Sequence, residues 1–393
     1  MGKTFLYISS WAEHGGKPGL GLYEFDTANG KLQFIEMADD KESFNCSVVD
    51  NRNNRMYVCN EVTHVSGEAA ETGRIFTYSI DQASGKIGEV DRRVTYCPNP
   101  AWLSFTKDRT RMLVAHHSQF NAIAGHERSA GKGFRTELTW NEADVQLYRL
   151  NEDGKPGDLL DNINHMDYQE RGSMGAHPHC AVLSPSEKII AVADKGSGYL
   201  YLYGLSEDRN SLLLLNKQMT DVPGAAPRYC LFHPTAPFLF VNHEKEISGK
   251  LNVTAFRYDE QGSLERICVR NALSDGRVIN SDIHNEQQGF CMSPDGKYLY
   301  TLLNGPDAVA VFEVDETSGR IELLQNAAVK GIRPRGLSIS PDGKYVLTSC
   351  LVSGDIGVYA VRKDGTLECI HECAAVQKGA SYMSFFEGKQ PAF

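Results

Sequence analysis

The sequence predicts an all-β fold, a seven-bladed β-propeller, on three observations. The first is an internal repeat: FCMSPDGKYLYTLLNGPDAVAVFEV at 290–314 and LSISPDGKYVLTSCLVSGDIGVYAV at 337–361 are two versions of one unit, and self-similarity at a fixed period marks a repeat architecture. The second is that seven segments match the third strand of that unit. The third is that the chain starts part-way through a unit and ends with the piece its start lacks.

Each unit opens on a short apolar strand that runs into a turn: DNRN at Asp50, TKDR at Thr106, SPSE at Ser184, HPTA at His233 and SPDG at Ser293 and Ser340. A second strand follows, such as KYLYTLL or APFLFVN, whose alternation suits a half-buried β-strand. The third strands fall at 20–25, 74–80, 144–150, 198–205, 250–258, 308–314 and 355–361. Most units close on a tight Asp/Asn–Gly hairpin, as in DTANGK at Asp26, DQASGK at Asp81 and DETSGR at Asp315, because Asn and Gly accept the positive φ such turns need. With the strand after the turn, each unit is a four-stranded antiparallel sheet. The N-terminus begins at once in an alternating strand, FLYIS, and the C-terminal GASYMSFF reads as a first strand with nothing after it. The last strand is therefore expected to complete the first sheet and close the ring, leaving only short edges. Residues 1–393 are expected to form one ring of roughly fifty-residue blades rather than two or three domains.

Composition narrows the partners. Net charge is −10 with no Lys/Arg-rich run, which argues against nucleic acid. Nothing approaches the run of about 20 apolar residues that spans a membrane, and MGKTFLYISS lacks the apolar core of a signal peptide. No GxGxxG or GxxxxGK[ST] motif opens a helix, so those nucleotide-binding routes are excluded. Ten cysteines without a CxxC pair are expected to be reduced thiols in a cytoplasmic protein. Cys46, Cys180, Cys230 and Cys291 fall on first strands, where a thiol packs as a small apolar residue.

In a hairpin, the start of the first strand and the end of the second lie side by side. In a ring of like blades those two positions meet on one face around the central channel. Anchored on the SPDG-like turn, the leading positions are Asn45, Ala101, His179, Arg228, Gln288 and Arg335. The trailing positions are Glu61, His117, Lys195, Glu244, Asn304 and Leu351, and the first blade adds Ser381 and Trp11. Any soluble protein has polar loop mouths. The convergence of opposite charges from different blades goes further, and a concave site of this kind is where a small-molecule ligand binds.

At these residues the chain resembles the propeller lactonase family, which includes 6-phosphogluconolactonases and the fungal carboxy-cis,cis-muconate lactonizing enzyme. The resemblance covers nearly the whole chain. It is carried by HPHCAVLSPSEKIIAVADKG from His177, APRYCLFHPTAPFLFVNHEKE from Ala226, and the PDGKYLY and RPRGLSISPDGKYVL units. It implies His179, Arg228 and Glu244 as catalytic groups, the positions that the repeat had already singled out. The fungal enzyme's further Arg, at the end of the sixth blade's second strand, falls here on Asn304, which removes one cation.

Lactone hydrolysis needs an activated water, a stabilised oxyanion and a protonated leaving alkoxide. His179 or Glu244 could serve as general base, the other as acid, with Arg228 holding the oxyanion. His117, His177, Lys195, Gln288, Asn304, Arg335 and Glu61 would contact substrate. No cofactor or metal is expected: adjacent His116 and His117 face opposite ways on a strand, and although His177 and His179 share a face and could hold a metal with Glu244, no further paired His spacing supports a zinc site. An oxygen cage for calcium would be only partly supplied by Asn45, Glu61, Glu244 and Asn304. The expected activity is hydrolysis of a sugar-acid lactone in carbohydrate metabolism. Cycloisomerisation or lyase chemistry on a sugar acid or muconate-type substrate, and a non-catalytic interaction platform, are the alternatives. Residues 118–143 are expected to be a long loop acting as a lid or contact surface, with His126, Glu127, Arg128 and Arg135 in it, and 270–286 a second extension. Trp102 and Trp140 are read as packing residues, and the sequence leaves room for a homo-oligomer.

Overall fold

The computed structural model describes residues 2–12, 16–63, 72–117, 123–129, 133–139, 142–168, 175–274, 285–374 and 378–388. Seven four-stranded antiparallel sheets follow one another along the chain. Their inner strands are Ser47–Asp50, Pro100–Phe105, Pro178–Leu183, Pro227–Phe232, Glu286–Met292, Pro334–Ile339 and Ala380–Glu387. Each touches the next, and Ala380–Glu387 touches Ser47–Asp50, so the ring is closed. The third strands lie within two residues of their expected bounds. One 3-10 turn, His165–Tyr168, is the only helical element among the described residues.

Local chemistry repeats with the strands. In both SPDG turns the serine hydroxyl donates to the Asp carboxylate and accepts a backbone N–H five residues on: Ser293 with Asp295 and Tyr298, Ser340 with Asp342 and Tyr345. In the Asp–x–x–x–Gly hairpins the Asp caps the turn and the Gly N–H returns to the Asp carbonyl. Gly30, Gly85 and Gly319 take φ of 73°, 70° and 74° there. A Cβ at any of them would also strike a ring of the adjacent blade, Tyr345, Phe5 or Phe238. The hairpin tips are thus inter-blade contacts. Tyr7, Tyr57 and Tyr300 extend the pattern, each donating its hydroxyl to a hairpin glycine carbonyl of the next blade (Gly85, Gly154, Gly365). Seven apolar clusters fill the gaps between sheets.

Ring closure rests on Ala380–Glu387, which pairs along the whole of Thr4–Ser10. Its Phe386 is fully buried, and the Ser384 hydroxyl bonds the Ser47 hydroxyl and carbonyl. Truncation after Gly379 is expected to abolish the cooperative thermal transition followed by circular dichroism, because it opens a strand edge and two apolar interfaces at once. An unchanged midpoint would show that closure contributes nothing.

The expectation of a long loop over 118–143 is corrected. Ile123–Ser129 and Gly133–Thr139 pair as an antiparallel hairpin, with Glu127 opposite Arg135. Its polar, Gly-rich composition reads as loop, yet Phe134, Thr136 and Leu138 alternate with Arg135 and Glu137 as strand residues do. Within 270–286, Leu264–Asn271 ends a strand and Glu286 opens another; residues 275–284, and Trp140 from the earlier extension, lie outside the described residues.

Candidate active site

The leading residue of nearly every inner strand sits at a register irregularity. Pairing shifts between Pro100 and Trp102, Pro178 and Cys180, Pro227 and Tyr229, Gln287 and Phe290, and Pro334 and Gly336. The residues skipped include Ala101, His179, Arg228, Gln288 and Arg335. An extra residue in one strand re-aims its side chain, and proline, which has no N–H for the ladder, prepares the break. The Pro–x dipeptide before four of these inner strands is the sequence signal for it. The trailing residues follow the second strands: Glu61, His117, Lys195, Glu244 and Leu351 each come one residue after a strand end, and Asn304 is a strand's last residue.

Blades four and five meet in an ion triad. The Arg228 guanidinium bonds Glu244, and the Lys195 ammonium lies 3.0 Å from both Glu244 carboxylate oxygens. All three are nearly buried, the Lys195 and Glu244 side chains being 8% and 11% exposed. Burial alone would raise the Glu244 pKa, but Lys195 and Arg228 outweigh it and hold the group at about 2. Burial and the neighbouring Arg228 lower the Lys195 pKa.

His179 stands beside this triad. Its ring packs edge-on against Tyr229 at 5.1 Å, and the Arg228 guanidinium lies 5.1 Å from the same ring. Burial first, then Arg228, Lys195, His117 and Arg335, drive its pKa well below the ordinary imidazole value. Its Nδ1 is buried without a hydrogen-bond partner among the described residues. His117 stacks on His177 at 4.9 Å and meets His179 edge-on at 5.3 Å. The His177 Nδ1 bonds the His117 carbonyl at 2.6 Å.

Across the channel a second charged group forms. Asn45 donates to Glu61, and Arg335 lies 3.8 Å from the same carboxylate with its guanidinium 4.4 Å over the Trp11 ring. Gln288 donates to Glu286 at 2.8 Å, and Asn304 pairs with Glu286 in the strand register. The two halves share one field, since Glu61 acts on Arg228 and Lys195 while Arg335 acts on His179. The leading and trailing residues of the strands thus come together at one mouth of the channel, whereas no contact brings His126, Glu127, Arg128 or Arg135 to it among the described residues. Glu61 and Glu244, two of the oxygen donors considered for calcium, are engaged by the Asn45 amide and Arg335 and by Lys195 and Arg228 respectively. Among the described residues no group of three or more His, Cys, Asp or Glu is disposed to hold a metal ion.

Sequence reasoning missed the floor beneath these groups. Trp102 packs on Tyr229 at 5.2 Å and on Tyr382 at 6.2 Å, leaving a central cavity of about 30 Å³, too small for a six-membered ring. A ligand would therefore sit above the aromatics, among the charges. The larger cavity of about 450 Å³ opens at the opposite mouth, between Phe105, Val182, Leu231 and Phe232, and holds none of the candidate residues.

A family model described as "Lactonase, 7-bladed beta-propeller" matches residues 5–383. The chain belongs to the seven-bladed propeller lactonase family. Within that lactonase family it is 24% identical to the 6-phosphogluconolactonase of Bacillus subtilis over 370 residues, 93% of each chain. It is 22% identical to that of Formosa agariphila over 392 residues, 97% of this chain and 99% of the other. The fold is shared with the periplasmic gluconolactonase PpgL of Pseudomonas aeruginosa: TM-score 0.79, 20% identity, covering 98% of this chain and 100% of that one. No helix among the described residues of this lactonase-family chain is long and apolar enough to cross a membrane.

Proposed function

We propose that the protein hydrolyses a sugar-acid lactone at the channel mouth formed by His179, Arg228, Lys195 and Glu244. The observation that carries this reading is a buried imidazole at a mouth shared with a guanidinium and an ammonium, which with burial push its pKa well below the ordinary value, in a chain of the lactonase family. The Glu244 carboxylate is too acidic, and too fully engaged, to take a proton from water. Its role is to fix Arg228 and Lys195 and to hold their charge against mutual repulsion. His179 is the base. It is uncharged at neutral pH and accepts the water proton as that water attacks the lactone carbonyl.

Arg228 and Lys195 stabilise the oxyanion that develops, in a site where such preorganised charge acts strongly. That negative charge offsets the cations that keep His179 neutral, so the imidazole becomes more basic as the reaction advances. The imidazolium then gives its proton to the ring oxygen as the C–O bond breaks, releasing a hydroxy acid. Arg335 and Lys195 restore the cationic character lost with Asn304, and Glu61, Asn45, Gln288, Glu286, His117 and His177 surround the remaining substrate. The ten free thiols fit a reducing, cytoplasmic compartment.

The test is the purified protein on a lactone panel, read by pH indicator with and without chelator, followed by product analysis. Turnover of an aldonolactone to the open acid, insensitive to chelator, supports the reading. No turnover of any lactone overturns it. Because burial and nearby cations depress the His179 pKa, its reactive neutral form persists into acid. The acid limb of kcat/KM is therefore expected to fall at a pH below the ordinary imidazole value near 6.5.

A further inference from the structure

Behind Lys195, and outside the channel, lies a buried polar chain that the reaction above does not use. Asp194, the last residue of the strand Ile190–Asp194, is fully buried, as is His165. One Asp194 oxygen accepts three backbone N–H groups: His177 at 2.7 Å, Gly196 at 3.1 Å and Ser197 at 3.1 Å. The other lies 2.9 Å from His165 Nδ1, and His165 Nε2 lies 2.9 Å from the Tyr203 hydroxyl. The Lys195 N–H closes the arrangement on the His177 carbonyl at 3.1 Å. A Cβ on Gly196 would come within 2.1 Å of the Gly175 carbonyl, so the two segments are already in close contact.

We infer that Tyr203, His165 and Asp194 are positioning residues that fix the Lys195 ammonium over Glu244 and the His177–His179 strand start beside it. This rests on the reading of the channel mouth as the lactone site. Asp26, Asp81 and Asp315 cap their turns at the surface with no such support. Asp194 caps its turn in the interior, and two further fully buried side chains, His165 and Tyr203, are desolvated to orient its second oxygen. Burying polar groups is costly unless each is satisfied, and here each is satisfied by the next. The residue after Asp194 is Lys195, which spans from blade four to Glu244 on blade five. The backbone held by the same carboxylate starts two residues before His179. One carboxylate thus sets the distance between the cation and the base, where about 1 Å of misplacement can cost on the order of a hundredfold in rate.

The test is a double-mutant cycle on the full-length protein. His165→Asn is expected to lower kcat/KM for an aldonolactone about tenfold. In a Lys195→Met background the same change is expected to cost only about threefold, because one of the two groups it positions is gone and the His177–His179 strand start alone remains to be held. Tyr203→Phe, which removes only a hydroxyl, carries the same cycle at smaller amplitude should His165→Asn fail to fold. Equal losses in both backgrounds would show that the chain does not act through Lys195 and would overturn the inference. A wild type that opens no lactone removes the proposed reaction instead. The cycle is then read through the Kd of an aldonate, where coupling to Lys195 supports the inference and additivity overturns it.

Discussion

Glu244→Gln is expected to cost stability and turnover together. In the native protein the Glu244 carboxylate sits between Lys195 and Arg228 with little solvent to replace it. Removing its charge leaves two buried cations facing each other. Breaking a buried pair by deleting one partner typically costs about 3–5 kcal/mol, because the survivors keep their desolvation penalty and lose their compensation. Denaturant unfolding checks this, and a loss below about 1 kcal/mol would show that the triad is solvated in practice. The linkage to pH has the same origin. With a folded pKa of about 2, below the ordinary carboxylate value, the group's contribution is complete above about 4.5 and is lost as pH falls through that window towards 2. In the Gln variant this part of the acid-stability slope should disappear. Turnover should fall at least about tenfold, since the cations that meet the oxyanion lose the group that holds them.

His179→Asn has the largest expected effect on rate. Asn nearly fills the space and keeps a polar group, but it cannot take a proton from water. Loss of a general base typically costs about 10²–10⁴-fold, and kcat should fall with little change in KM, because the proton moves only in the transition state. Stability should hold or improve in mild acid. His179 is buried in its neutral form, its folded pKa lies below the unfolded value, and protonation as pH drops below about 6.5 favours the unfolded chain. The variant removes that liability. A His179→Asn protein that retains more than about a third of wild-type kcat would exclude the imidazole as base.

The strands and turns were legible because each obeys a local rule. Period-two alternation marks half-buried strands, and Asp-to-Gly spacing marks hairpins whose glycine must take positive φ. The channel-mouth residues were legible for a different reason: once the SPDG-like turn fixes a register, equivalent positions in a closed ring must converge. What stayed hidden was whatever depends on contact between blades. Lys195 and Glu244 are 49 residues apart, and nothing in either segment states that the ammonium reaches across to the carboxylate. On the proposed reading, that contact is what makes Glu244 a fixed anion rather than the base. The stacking of Arg335 on Trp11 joins blade seven to blade one and exists only because the ring closes. Asp194 reads in sequence as an ordinary turn residue. Its partnership with His165 and Tyr203 needs the 3-10 turn at His165–Tyr168, which has no repeat to reveal it.

The most direct measurement is a crystal structure of the protein with an aldonate product bound. The ligand should lie above the Trp102–Tyr229 floor, its carboxylate within hydrogen-bond distance of Arg228 or Lys195 and its reacting carbon beside His179. An aldonate seated at the apolar mouth near Phe105 and Phe232, with the charged mouth empty and hydrolysis intact, would contradict this placement of the chemistry.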